Sequence, residues 1–197
     1  MQQTIAVAIL AGGHGRRMGG ADKALVHVAG RPLLDWSLQR LRPQATRIVL
    51  SANGEPGRFA AYGLPVVADA MPDAGPLGGI ASAAEFCAER WPDVRFLLTV
   101  PVDVPCPPSD LVVRMAAADQ NRIAVAETDS RMQWAVARWP MDAALDLTGA
   151  IGGGLRRVEA AVRAAGYTAV PFKDAIAFTN INSTGDIKTL ERRLTML

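Results

Sequence analysis

Apolar runs of strand length recur along the chain at 5–10 (IAVAIL), 47–51 (RIVLS), 65–68 (PVVA), 94–100 (VRFLLTV) and 122–126 (RIAVA). They do not alternate polar with apolar residues, as a strand with one wet face would, so both faces of each are expected to be buried. Between them, apolar residues fall at helical spacing: Leu33, Leu34, Trp36, Leu38 and Leu41, then Leu77, Ile80, Ala83, Ala84 and Cys87, then Leu111, Val112, Met115 and Ala118. Fully apolar strands alternating with amphipathic helices predict an α/β fold, a mostly parallel sheet covered on both faces. The 197 residues suit a single three-layer α/β/α domain over 1–197. After residue 130 the pattern is less regular. QWAVARW at 133–139 alternates and predicts an antiparallel strand, LRRVEAAVRAA at 155–165 predicts a helix, and FTNINS at 178–183 leads into a last helix at 185–195.

In parallel sheets of this kind, ligands sit beyond the carboxyl ends of the strands. The segment that leaves the first strand at that edge is AGGHGRRMGGADK, residues 11–23, with five glycines, two adjacent arginines and a lysine. A surface turn needs one or two glycines, because one positive-φ position reverses the chain. Five glycines with three cations fit a loop whose backbone closely approaches something negative, and a nucleoside triphosphate meets that description. The dinucleotide fingerprint GxGxxG begins at Gly13 and fails at Met18, and the Walker sequence GK[ST] fails because Lys23 lies between Asp22 and Ala24. What remains is a longer loop, with the backbone amides of Ala11–Gly13 by the strand end, Arg16 and Arg17 midway, and Lys23 at the exit. Residues 1–105 therefore read as a Rossmann-like nucleotide-binding half, and the later part as the half that holds an acceptor.

Charge distribution agrees. The net charge is only +2, but Arg16, Arg17, Lys23, Arg31, Arg40, Arg42 and Arg47 face only Asp22 and Asp35 within residues 1–47. That local excess suits a small polyanion better than a nucleic acid. No apolar run approaches the ~20 residues of a membrane span, and MQQT does not begin a secretory leader. Cys87 and Cys106 lack CxxC spacing and read as reduced thiols of a cytoplasmic protein. His14 and His27 are thirteen apart with no third histidine, which argues against a metal or general-base role.

The loop LAGGHGRRMGGADK resembles the LAGGxxxRMGxxK signature of nucleotidyltransferases, and its GG-x-DK ending is most similar to the molybdenum cofactor guanylyltransferases, the MobA family. Further segments follow in that family's order: LSAN at 50–53, VVAD at 66–69, GPLGGI at 75–80, PVDVP at 101–105, a GxxRR-like stretch at 153–157 and TNINSTGD at 179–186. The resemblance implies transfer of GMP from Mg-GTP to the terminal phosphate of molybdopterin, with release of pyrophosphate. Two polyanions must then meet, and the protein's task is to neutralise charge and align the reacting oxygens.

By this resemblance Leu10, Ala11, Gly12 and Gly13 hold the guanosine and phosphates through main-chain groups. Arg17 and Lys23 offset charge that grows on the α-phosphate and the departing pyrophosphate. Asp103 would bind the nucleotide and ligate Mg²⁺: LLTVPVD sets a carboxylate where an apolar strand ends, and Mg²⁺ takes one or two carboxylates beside phosphate and water oxygens. An Asx turn before Pro105 is the alternative for Asp103, as turn capping is for Asp69, which resembles the family's nucleotide-binding aspartate. Asn53 resembles the residue beside the base, and Gly78 of GPLGG would let backbone approach the guanosine before its helix starts, a plain helix-start turn being the alternative. Arg156, Asn180 and Asn182 match positions facing the acceptor, although Arg157 can replace Arg156 in that register. Molybdoenzymes or their chaperones are the implied recipients of the product.

One segment departs from the family. Arg131-Met132-Gln133-Trp134 stands where members usually carry His-Pro before a strand, and an indole there would reshape the acceptor pocket. A nucleotidyltransferase using CTP or a sugar phosphate, and a nucleotide-binding homologue without catalysis, stay open as alternatives.

Overall fold

The computed structural model describes residues 5–12, 22–71, 73–181 and 185–188. From strand β1 (Ile5–Leu10) the chain passes through a short antiparallel ribbon, β2 (His27–Val28) and β3 (Arg31–Pro32), into helix α1 (Leu33–Leu41) and strand β4 (Ile48–Ser51). A 3-10 segment (Pro56–Tyr62) precedes β5 (Val66–Val67), and helix α2 (Pro76–Arg90) leads to β6 (Phe96–Pro101). Helix α3 (Leu111–Ala116) is followed by strands β7 (Ile123–Thr128) and β8 (Arg131–Pro140). Helices α4 (Met141–Leu145), α5 (Leu147–Gly152) and α6 (Val158–Ala165) then lead to β9 (Tyr167–Pro171).

Among the described residues seven strands form one sheet in the order β5-β4-β1-β6-β8-β7-β9. All neighbouring pairs are parallel except those of β8 with β6 and with β7. The alternating run at 133–139 is thus the antiparallel strand, as expected. Every residue of β1 is buried. Its Val7 and Ile9 pack with Leu33, Leu34 and Leu38 of α1 and with Leu111 and Met115 of α3. Its Ala6 and Ala8 face the other layer, with Leu77 and Ile80 of α2, Leu147 of α5 and Val162 of α6. The continuous apolar run of β1 is therefore two alternating faces, each covered by a helical layer.

The small residues on the second face have a steric reason. A Cβ on Gly79 of α2 would stand 2.4 Å from the Ser51 hydroxyl oxygen and 3.1 Å from Asp69 Oδ1, so the first turn of α2 lies hard against the end of β4. Between Val125 and Ala126 the β7–β8 register shifts, so that Ala137 and Gln133 face consecutive residues of β7. The Thr99 hydroxyl lies 2.8 Å from the Ala135 carbonyl oxygen and 3.1 Å from that of Ala137, which provides a partner inside the bulge.

Several elements were not expected: the β2–β3 ribbon, α4, α5 and β9. The ribbon strands, α4 and α5 are too short to carry a period of their own, and β9 (YTAVP) is mostly exposed or half-buried, so it lacks a continuous apolar run. The helix expected over 155–165 begins at Val158, and Leu155–Arg157 form the loop before it. The final helix begins as expected, with residues 185–188 helical.

Candidate active site

At the carboxyl edge of the parallel strands, backbone pairing continues past the strand ends. Ala11 N–H donates to the Ser51 carbonyl at 2.8 Å, Ala52 N–H to Val67 at 2.9 Å, and Val102 N–H to Leu10 at 3.0 Å. The segments that carry Gly12, Asn53, Asp69 and Asp103 therefore leave the sheet at one edge. The Ala11 amide is thus taken up by the Ser51 carbonyl. The Leu10 side chain is in the core and its carbonyl is engaged by Val102.

Lys23 opens a 3-10 turn (Lys23–Leu25) whose N-cap, Asp22, accepts a hydrogen bond from Ala24 N–H at 3.1 Å. Its Nζ donates to Asp103 Oδ2 at 2.9 Å. The turn after β6 is closed by backbone, with Val104 N–H donating to the Pro101 carbonyl at 3.0 Å. The Asp103 carboxylate is directed at Lys23 and not at an Asx turn. Such a partly exposed pair contributes at most about 1 kcal/mol to stability, too little to explain two charges at a sheet edge by folding alone.

Asn53 and Asp69 bind each other twice. Asn53 Nδ2 donates to Asp69 Oδ2 at 3.0 Å, and Asp69 N–H donates to Asn53 Oδ1 at 2.8 Å. Gly12 runs beside them, since a Cβ there would lie 3.7 Å from Asp69 Oδ2 and 3.9 Å from Asn53 Nδ2. Asp69 Oδ1 is buried and has no hydrogen-bond partner among the described residues.

GPLGG has a different geometry from the one expected. Gly75 adopts φ 61° and ψ −150° as the N-cap of α2, a conformation that needs glycine, and the helix starts at Pro76. Gly78 is therefore inside the first turn and buried. A Cβ there would meet Ala74 Cβ at 3.0 Å and the Met71 carbonyl oxygen at 3.4 Å, so its close neighbours are protein atoms.

Of the residues expected to face the acceptor, Asn180 is exposed and is brought to the same edge by Ile181 N–H, which donates to the Asp103 carbonyl at 2.8 Å. Arg156 Nη1 donates to the Ile151 and Leu155 carbonyls at 2.7 and 2.8 Å, holding the loop after α5, while Arg157 is the exposed N-cap of α6. The Trp134 ring lies under the Arg163 guanidinium at 4.6 Å and edge-on to Tyr167 at 5.4 Å. The indole thus packs toward α6 and β9. Gly13, Arg16, Arg17 and Asn182 lie outside the described residues.

The thiols of Cys87 and Cys106 are free, and burial pushes both pKa values up, that of Cys87 to about 12. No helix among the described residues is long and apolar enough to cross a membrane.

Residues 7–165 match the family described as the MobA-like NTP transferase domain. A molybdenum cofactor guanylyltransferase of Cereibacter sphaeroides is 42% identical over 186 residues, which cover 94% of this chain and 95% of that protein. One from Rhodopseudomonas palustris (strain BisB5) is 39% identical over 191 residues, covering 93% and 91%. The chain belongs to the molybdenum cofactor guanylyltransferase family. Among solved structures, molybdopterin-guanine dinucleotide biosynthesis protein A of Archaeoglobus fulgidus matches with a TM-score of 0.77 at 22% identity, over 98% of this chain and 100% of that one. The 2-C-methyl-D-erythritol 4-phosphate cytidylyltransferase of Thermus thermophilus matches at 0.72 and 18% identity, over 98% and 100%. At those identities the likeness is one of fold alone.

A guanylyltransferase of this family is a nucleotidyltransferase, and the donor set here suits a phosphate-bound Mg²⁺. No three His, Cys, Asp or Glu side chains cluster as a metal cage among the described residues. One carboxylate at a phosphate-facing edge, with the remaining oxygens from substrate and water, is how Mg²⁺ is usually held. Sequence reasoning missed Arg58, which bonds to Asp22 and to the Asn53 loop. It lies in a 3-10 segment with no apolar period, so nothing in its spacing marks it.

Proposed function

We propose that this chain transfers GMP from Mg-GTP to the terminal phosphate of molybdopterin and releases pyrophosphate. The observation that carries the reading is the pairing of Lys23 with Asp103 beside the Gly12–Asn53–Asp69 cluster, at the sheet edge where a phosphate loop ends. Asn53 and Asp69, fixed by two mutual hydrogen bonds, hold the nucleoside end. Gly12 lets the backbone pass close to them. Lys23 stabilises charge that develops as the α-phosphate is attacked, and Arg17 acts with it. Asp103 would hold Mg²⁺, which supplies charge neutralisation at the phosphates when bound. Asn180, docked through Ile181, faces the incoming acceptor, and Arg156 and Asn182 share that task by the family resemblance.

The experiment measures pyrophosphate release from Mg-GTP with and without molybdopterin, using Mg-CTP as the control. Release that requires both GTP and molybdopterin is the expected result. Release with CTP in preference to GTP would overturn the donor, and release with GTP that ignores molybdopterin would overturn the acceptor.

A further inference from the structure

Arg58 lies in the 3-10 segment Pro56–Tyr62, outside the segments that carry the family resemblance, yet it joins two of them. Its guanidinium lies over Phe59 at 4.4 Å. Nε donates to Asp22 Oδ2 at 2.7 Å, Nη2 donates to the Asn53 carbonyl at 2.5 Å, and Nη1 donates to the Glu55 carbonyl. The other Asp22 oxygen accepts from Ala24 N–H and closes the turn that carries Lys23. Gly54, with φ 85°, bends the Asn53 loop around the guanidinium, which stands 3.4 Å from where a Cβ on Gly54 would be. One planar cation thus holds the Lys23 turn and the Asn53 loop together.

We propose that Arg58 is a positioning residue for nucleotidyl transfer, fixing the separation between Lys23 at the reacting phosphate and Asn53 at the nucleoside. The inference rests on the guanylyl-transfer reading. An ion pair of this exposure contributes little to stability by itself. Its directional content is larger, because the guanidinium fork reaches a carboxylate and two carbonyls from one rigid plane. A lysine at position 58 can reach Asp22 and lacks the fork for the two carbonyls.

The test compares the full chain with Arg58→Ala, Arg58→Lys and Asp22→Asn in steady-state pyrophosphate release at varied GTP, at temperatures where each variant is folded by circular dichroism. Arg58→Ala is expected to lower kcat about 100-fold, the cost of a misplaced reacting group, and to raise KM for GTP about tenfold. Asp22→Asn disturbs only the Lys23 arm and is expected to lower kcat with KM near wild type. Arg58→Lys is expected to recover part of kcat and none of KM. A folded Arg58→Ala with wild-type kcat and KM would overturn the proposal, as would full recovery of both by lysine.

Amide hydrogen exchange without nucleotide at Ala24, whose N–H donates to Asp22 Oδ1, and at Asp69, whose N–H donates to Asn53 Oδ1, gives a second readout, expected to be faster in Arg58→Ala. If the wild-type chain releases no pyrophosphate, the functional reading fails and exchange alone decides. Faster exchange at both amides then supports the coupling of the two loops by Arg58, and unchanged exchange overturns it.

Discussion

Lys23 Nζ stands 2.9 Å from Asp103 Oδ2, although 80 positions separate the two in the chain. The bond spans the loops after β1 and β6, which are adjacent and parallel in the sheet. Asp103 also accepts the Ile181 N–H through its carbonyl. Asp22, next to Lys23, is bound by Arg58, which in turn holds the Asn53 carbonyl. A continuous set of polar contacts therefore runs from the proposed nucleoside end, through the proposed point of transfer, to the segment of Asn180.

Lys23→Ala is expected to act on the rate and not on affinity. Loss of one preorganised charge at a developing oxyanion costs about 10²–10³ in kcat, with KM for GTP little changed. Steady-state kinetics at varied GTP reads both. An unchanged kcat with a raised KM would make Lys23 a ground-state contact.

Asp103→Asn keeps the size of the side chain and an oxygen acceptor for Lys23 while removing the charge. Half-saturation by Mg²⁺ is expected to require at least roughly tenfold more metal, since a hard dication would lose the carboxylate proposed to hold it, and chelation of Mg²⁺ should abolish turnover of the wild-type chain. A Mg²⁺ titration curve that superposes on the wild type would remove Asp103 from metal binding.

Gly79→Ala sets helix propensity against space. In an open helix alanine is favoured over glycine by about 1 kcal/mol, but here its Cβ would stand 2.4 Å from the Ser51 hydroxyl. Overpacking of a tight site costs about 1–3 kcal/mol, so a lower Tm is expected. Adding Ser51→Ala removes the nearest atom and should restore most of the loss. A single variant as stable as the wild type would show that α2 can move away from β4.

The Cys87 thiol gives a pH dependence. Burial raises its pKa from 9.0 to about 12 in the folded chain, against a smaller lowering by Arg47. The unfolded thiol ionises near 9 while the folded one stays protonated, so the folded state binds more protons between those values. Stability is fully present below pH 9 and falls above it, by up to about 1.4 kcal/mol per pH unit from this group. Urea unfolding at pH 8 and pH 10 should show a larger loss for the wild type than for Cys87→Ala. Equal losses would mean that the buried thiol does not set the slope.

The first half of the fold was legible because its signals are local. IAVAIL is apolar throughout and VRFLLTV is interrupted only by Arg95 and Thr99, so both read as strands covered on both sides, and β1 and β6 are. The alternation at 133–139 marked β8 equally well. The helices α4 and α5, of five and six residues, were not legible, since they are too short to repeat an apolar period. In the candidate site, Asp69 and Asp103 could be named because each follows an apolar strand run, and Asn53 through the resemblance of LSAN to the family. Arg58 could not, because its partners are a capping carboxylate and two carbonyls of another loop.

Two of the three glycines of GPLGG separate two causes that look alike in sequence. Gly75 is required by backbone conformation and Gly79 by the Ser51 hydroxyl against it. One letter stands for both, and only the neighbours distinguish them.

By itself, the sequence determined the main strands and helices, and hence at which edge of the sheet the glycine-rich loop after β1 emerges, because periodicity and apolar content act over neighbouring residues. The tertiary structure alone decided that Lys23 meets Asp103, that Arg58 ties Asp22 to the Asn53 loop, and that Trp134 packs beneath Arg163. Those contacts depend on how the sheet orders its strands and how each loop turns as it leaves them, and no spacing along the chain encodes that distance.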